Sequence, residues 1–365
     1  MPAGKYLTPD FKVELDGSAL TVDLSRNITD VSVTLQPDTM DQCSLTLANP
    51  YPELPWTHGE HADLFKEGAG LKVSMGYVGE LEVMFDGEVA SIGVSFPESG
   101  TSTLKITGRS KLHRLKRSTN TRTFLGKTDS QIVSEVVSAS GTGMSAQADA
   151  TTGVREYVIQ NNLSDLDFIH ELAKRNRYEV YGVGSTLYFA KPRDAKPKAY
   201  TMVWGRTAKT FEGELVPLRS FTPNLDSQSQ VSEVVVRGRD LNKKTIEGTA
   251  GKGKEDSTME GSVTGPEAAN KAFGTATPLT VTDQPVATKE EADALAKALY
   301  NKTAQRFITG NGASIGLPKL RAGVVVEIEG VGPRFSGAYY VTSSVHSLGS
   351  GGYSTSFTVR RNAEG

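Results

Sequence analysis

The segment GTAGKGK, Gly248 to Lys254, fits the first seven positions of a phosphate-binding loop. The next position should carry a hydroxyl to hold magnesium. Here it is Glu255, whose carboxylate would repel phosphate, and no apolar helix pattern follows. A nucleotide site is not expected. HGEH, His58 to His61, offers two imidazoles three residues apart. A helical zinc site uses the i, i+4 spacing and needs a third ligand that is not evident, so a solvated loop is the expectation. His170 lies beside a stripe of apolar residues at helical spacing, where a packed histidine is commoner than a catalytic base. No serine nucleophile is read from the sequence. No catalytic, cofactor-binding or metal-binding residue is assigned, and no enzymatic activity is expected.

The strongest charge feature is RSKLHRLKRSTNTRTFLGK, Arg109 to Lys127, with seven Lys or Arg and no Asp or Glu. One reading is a phosphate-binding strip. The strip holds a single aromatic, Phe124, so base stacking along it has little support. A solvated connection between domains, or a patch that meets a protein, is favoured.

The elements that would position these residues are mostly strands. FKVEL, VSVTLQ, CSLTLA, LKVSMGY, STLKITG, EVVVRG, VVVEIEG and STSFTV are short alternating runs separated by Gly, Pro, Asp and Ser. Helices are few but marked by caps. Thr128 and Gln131 form a capping box before Ile132, Val133, Val136 and Val137. Ser164 and Asp167 precede Leu166, Ile169, Leu172 and Ala173, and YEVY with TLYFA then reads as a hairpin. Thr288 and Glu291 cap a third helix, and Pro266 can start a shorter one.

These patterns divide the chain into 1–117, nearly all strand; 118–200, an α+β middle domain of helix, helix and hairpin; and 201–365, strand again. The Gly-, Lys- and Ser-rich stretch at about 242–265 reads as a flexible insertion. The fold class is mainly β (α+β). Lys plus Arg number 40 and Asp plus Glu 42, which argues against a surface built wholly for nucleic acid. One cysteine, Cys43, excludes an internal disulfide and multi-Cys zinc sites. The N-terminus lacks a signal-peptide pattern, and no apolar run approaches the roughly 18 residues of a membrane span. A soluble protein made in a reducing compartment is the expectation.

One phrase is written twice. FDGEVASIGVSF, Phe85 to Phe96, and FSGAYYVTSSVH, Phe335 to His346, each follow a Gly-led strand. Each precedes a Gly/Ser turn and a strand that ends in Arg. The apolar parity slips by one between the copies, which requires a bulge if they match.

The chain resembles the late control gene D protein family, the hub of contractile phage baseplates, whose fold also forms the N-terminal part of VgrG spike proteins. The resemblance rests on GYVGELEVMFDGEV with TGRSKLHRLKR, SDLDFIHELAKRNRYEVY with LYF, EVVVRGRDLNKKTIEG, and FSGAYYVTSSVHSLGSGGYSTSFTVRR, in that order. It implies two tail-tube-like β-barrel domains, in 1–117 and 201–365, flanking the middle domain. It implies a homotrimer whose pseudo-six-fold ring joins a hexameric tail tube protein to a trimeric spike. No spike sequence follows residue 365, so a separate spike protein is expected, with other baseplate components and a tape measure as further partners. The protein would be made in the bacterial cytoplasm and assembled into a virion or injection particle, without membrane insertion or sequence-specific nucleic acid. The alternative is a nucleic-acid-binding regulator that uses Arg109–Lys127. A hub with cell-wall hydrolase activity would need a further catalytic domain.

Overall fold

The computed structural model describes residues 8–50, 52–59, 61–194, 197–205, 215–239, 244–255, 259–274 and 277–365. All eight alternating runs form strands, because their apolar positions fall on one face. In β3 (Ile28–Leu35), for example, Val31, Val33 and Leu35 are buried while Ser32 and Thr34 are not.

The first unit holds β1 (Pro9–Leu15), β2 (Ser18–Ala19), the single turn α1 (Val22–Ser25), β3, β4 (Gln42–Ala48), β5 (Gly70–Tyr77), β6 (Glu80–Ser95) and β7 (Thr103–Ser110). A 3-10 helix at Lys111–Lys116 leads into the middle unit: β8 (Thr119–Lys127), α2 (Asp129–Ala139), β9 (Ser145–Ala148), β10 (Arg155–Ser164), α3 (Asp165–Asn176), β11 (Glu179–Val183) and β12 (Thr186–Ala190). Then come β13 (Lys198–Val203) and β14 (Leu215–Leu225). An inserted unit follows, with β15 (Glu233–Arg239), β16 (Thr245–Gly251), β17 (Val263–Thr264), α4 (Gly265–Phe273), β18 (Pro278–Val281) and α5 (Lys289–Ala304). The chain ends with β19 (Ile308–Ile315), β20 (Val325–Glu329), β21 (Gly337–Gly349), β22 (Gly352–Arg361) and β23 (Ala363–Glu364).

Thirteen strands form one sheet in the order β2-β1-β5-β6-β7-β4-β3-β21-β20-β13-β14-β19-β22, and β21 also pairs with β22. That last pairing closes β21-β20-β13-β14-β19-β22 into a six-stranded barrel. It surrounds Met202, Phe307, Val326, Ile328, Tyr339 and Val341. The expectation of two closed barrels is corrected among the described residues. The first unit is an open seven-stranded sheet, because β1 and β3 do not pair. Its core is closed instead by Trp56 and Phe65 from the segment before β5.

The repeated phrase falls in two antiparallel meanders, β5-β6-β7 and β20-β21-β22. Each carries a bulge, between Val89 and Ser91 in one and between Val341 and Ser343 in the other. The bulges stand at different offsets from the Phe-x-Gly. Both meanders also belong to one sheet, joined where β21 pairs with β3. The echo therefore gives no support for two separate barrels. The glycines do hold constrained positions. A Cβ on Gly87 would lie 2.2 Å from the Arg109 carbonyl oxygen, and Gly337 has φ +133° against the Arg361 guanidinium.

Two expected boundaries are also corrected. A division at residue 200 cuts through β13, whose pairing with β20 and β14 makes it barrel wall. The flexible insertion expected at about 242–265 contains β16, which pairs with β15 along its length. Residues 242–243 and 256–258 of that stretch lie outside the described residues. The inserted unit has its own core, with Val234, Val236 and Ala250 packed under Ala292, Ala296 and Tyr300 of α5.

The helices start where their caps place them. The Gln131 side chain accepts from Thr128 N at 2.9 Å, and Thr128 Oγ1 accepts from Gln131 N at 3.3 Å. Ser164 Oγ accepts from Asp167 N at 3.1 Å. In α5 the bond back from Glu291 reaches Ala287 N, one residue earlier than the capping box requires. Ser164→Ala should cost about 1 kcal/mol through loss of the cap. Urea unfolding followed by circular dichroism checks this, and an unchanged midpoint would mean that the cap does not hold α3.

At the seam between the open sheet and the barrel, His346 is fully buried. Its Nε2 lies 3.0 Å from the Leu320 carbonyl oxygen and its Nδ1 2.9 Å from Tyr353 Oη. Burial pushes its pKa down to about 3. Close by, burial pushes Asp41 up from 3.8 to about 6, although the Gln36 amide and Arg321 act in the opposite direction. A carboxyl raised in the folded state binds its proton more tightly there than in the unfolded chain. Its contribution is therefore complete below pH 3.8 and is lost as pH rises to about 6, a change of about 3 kcal/mol. Unfolding free energy of the native chain should fall relative to Asp41→Asn across that window. Parallel pH profiles for the two proteins would refute the assignment.

Candidate functional site: an uncharged face across two units

The sequence motifs do not converge on a reactive centre. Gly248 and Ala250 of GTAGKGK lie in β16 facing α5, so the segment is a strand and not a phosphate cradle. Lys252 pairs with Glu267 at 2.7 Å, and Glu255 accepts a hydrogen bond from Tyr300 at 2.8 Å. His58 Nδ1 lies 3.1 Å from Thr57 Oγ1, and the His61 ring packs 5.3 Å from Trp56. Among the described residues no three His, Cys, Asp or Glu side chains come together as metal ligands. His170, on α3, lines a cleft with Asp38, Asp167, Arg109 and Lys116; burial lowers its pKa.

The basic strip is largely neutralised inside the protein. Arg114 makes a two-pronged pair with Glu88, Nε to Oε2 at 2.9 Å, and His113 Nε2 lies 3.0 Å from the same oxygen. Burial pushes the Glu88 carboxyl up, but Arg114 and His113 outweigh this and hold it below the usual carboxylate range. Lys116 pairs with Asp167, Arg122 with Asp165, and Lys127 with Glu135. Lys111 donates to Ser185 at 3.0 Å. Of the seven cations only Arg109 and Arg117 have no such partner among the described residues.

Sequence reasoning missed the most extended feature. Strand register aligns uncharged residues on the outer face from the barrel into the first unit. One row runs Ser220, Ala313, Ser356, Val345, Thr34 and Gln42 across β14, β19, β22, β21, β3 and β4, and meets Arg109 on β7. The next runs Ile315, Ser354, Ser347, Ser32, Ser44 and Thr107, ending on β7. A third, Thr222, Asn311, Thr358 and Ser343, lies within the barrel. The barrel part is hollowed into a trough, with Lys302, Arg306 and Arg360 at one end. Soluble proteins ordinarily intersperse charge on exposed faces. A face mostly of small hydroxyl and amide side chains, uncharged in these rows over six strands and bounded on β7 by Lys105 and Arg109, offers hydrogen bonds to water and little grip to either sign of charge.

Solved structures share this architecture. The 43 kDa tail protein of prophage MuSo2 from Shewanella oneidensis matches with a TM-score of 0.70 at 14% identity, over 97% of this chain and 98% of that one. The tail protein from Neisseria meningitidis matches with a TM-score of 0.67 at 13% identity, over 97% of each chain. An Escherichia coli component of the type VI secretion system, described as structurally similar to bacteriophage tail proteins, matches with a TM-score of 0.59 at 10% identity. That match covers 96% of this chain and 77% of that one. The likeness establishes a mainly β fold shared with phage tail proteins. No curated protein matches the sequence. A family model described as the Alg8 N-terminal domain, a description that names no tail or spike, matches residues 6–350, and the chain belongs to that family.

Proposed function

We propose that the chain is a non-enzymatic structural subunit of a contractile tail or a related injection particle. In this reading it is a baseplate hub of which three copies form a pseudo-six-fold ring between a hexameric tube and a trimeric spike. The observation that carries the reading is the uncharged face that crosses the seam between the open sheet and the barrel. A conduit wall needs to be wetted and non-adhesive along its whole length, and must continue from one β unit to the next. A subunit with two β units also answers a symmetry mismatch, since three copies present six units to a six-fold partner and three to a spike. The fold shared with tail proteins supports the same reading.

The internal pairing of Arg114, Lys116, Arg122 and Lys127 disfavours the regulator that grips nucleic acid with this strip. Electron microscopy with light scattering on the purified full chain, alone and mixed with a hexameric tail-tube protein and a trimeric spike protein, tests the proposal. Three-fold rings with a central opening are expected, with interfaces on the order of 2,000 Å². Monomers under every mixture would overturn it, as would a salt-resistant, sequence-selective complex with DNA.

A further inference from the structure

Among the described residues β10 pairs with β8 alone. One face of this two-stranded ribbon is buried through Phe124 and Val158. The other exposes Leu125, Tyr157 and Ile159 at 65%, 57% and 44%, with Tyr157 directly opposite Leu125. An isolated ribbon that shows large apolar side chains and a bare edge is an arrangement that soluble proteins avoid. The part of β1 not covered by β2 shows the usual edge protection, with Pro9, Asp10 and Lys12 along it. The β10 edge has no proline, and its consecutive residues Arg155 to Ile159 line a cleft of about 1070 Å³.

The opposite wall of the cleft comes from the inserted unit and carries Arg237 and Arg239, both exposed, with Asp283 and Val286. Four arginines and three carboxylates line the whole cleft. Two of the arginines, Arg155 and Arg175, are engaged by the buried Asp129, and Arg155 also by Glu291. The wall that faces β10 therefore presents Arg239, and Arg237 in an exposed and hence weak pair with Glu247 at 2.8 Å, against the cleft carboxylate of Asp283.

We propose that the free edge of β10 takes an extended segment of a different protein as an added strand. That segment places apolar side chains beside Tyr157 and Ile159 and carboxylates toward Arg237 and Arg239. The alternating main-chain donors and acceptors of an edge are satisfied in register only by another strand, and five residues of it span roughly 17 Å. A second wall stands across the cleft. A sheet edge attached to its own folded domain cannot enter, whereas a single extended chain can, which favours a tail or linker segment over a second copy of this protein. The inference goes beyond the hub reading and stands whether or not a ring forms.

The test uses the full chain and a fluorescein-labelled peptide, acetyl-Val-Glu-Val-Glu-Val-Glu-Val-amide, read by anisotropy. Saturable binding is expected. It should weaken at least tenfold for Tyr157→Lys and for Ile159→Lys, and at least tenfold when lysine replaces glutamate in the peptide. N-methylation of the peptide amides on one edge should abolish binding, and methylation on the other edge should not. Both variants alter exposed positions, so an unchanged melting temperature confirms that they fold. No binding by the native chain would overturn the proposal, as would binding insensitive to N-methylation on either edge. A dimer by light scattering that Tyr157→Lys dissolves would put a second copy there, and would also overturn it.

Discussion

Trp56→Ala should lower the unfolding free energy by about 3–5 kcal/mol, as for a large buried aromatic whose site collapses only in part. Trp56 is 2% exposed and packs with Phe65 at 5.9 Å between ring centres. Its indole Nε1 donates to the Ala48 carbonyl at 2.9 Å, and its amide donates to Asn49 Oδ1 at 3.1 Å. The alanine variant loses the ring and also one partner of the carbonyl at the end of β4. The effect is large because, among the described residues, the first unit has no hydrogen-bonded closure. β1 and β3 remain apart, and the segment bearing Trp56 and Phe65 covers the core that a closed barrel would seal for itself. His61→Ala, which removes the half-buried imidazole leaning on Trp56 and leaves the indole in place, should cost less than Trp56→Ala. Denaturant titration of both variants decides the matter. A loss below 1 kcal/mol for Trp56→Ala would mean that the open sheet is held by its strand pairing alone.

The strands and the helix caps were legible because their causes are local. Period-2 burial in β3 or β22 and the Thr128–Gln131 and Ser164–Asp167 caps are each written within a few residues. The strand β16 was not legible. Its inward residues are Gly248 and Ala250, which do not read as an apolar stripe. Gly248 is nevertheless dictated by packing, since a Cβ there would lie 2.2 Å from the Ala292 carbonyl carbon. The basic strip was read as exposed charge because Glu88, Asp165 and Asp167 lie tens of residues from the arginines and lysine they neutralise, and only the fold brings them together. The uncharged face shows the same limit in another form. Each strand displays its alternating Ser and Thr, but the alignment of Ser356 with Val345 and of Val345 with Thr34 depends on register between strands distant in sequence. The repeated Phe-x-Gly phrase shows the converse, since similar local patterns stand in an open sheet and in a closed barrel.

Asp129→Ala should also cost about 3–5 kcal/mol, because it removes the anion from a buried charge network and leaves the cations in place. Asp129 is the first residue of α2 and is 2% exposed. It accepts from Arg175 Nε at 2.8 Å and from Asn176 Nδ2 at 2.5 Å, and Arg155 Nε approaches at 3.5 Å. Arg155 continues outward to Glu291 of α5 at 3.0 Å. The carboxylate thus ties α2 to α3 within the middle unit, and through Arg155 it reaches the inserted unit. Without it, Arg175 and Arg155 face each other in a half-buried site with one remaining anion. Asp129→Asn retains an acceptor but not the charge, and should fall between the native chain and Asp129→Ala. The coupling across the units is separable by a double-mutant cycle with Glu291→Gln. If Arg155 transmits it, the two substitutions together should cost measurably less or more than their sum, by 0.5 kcal/mol or more, as expected within one ion-pair network. Strict additivity would mean that the middle and inserted units are held by their apolar contacts, with Arg155 serving each carboxylate independently.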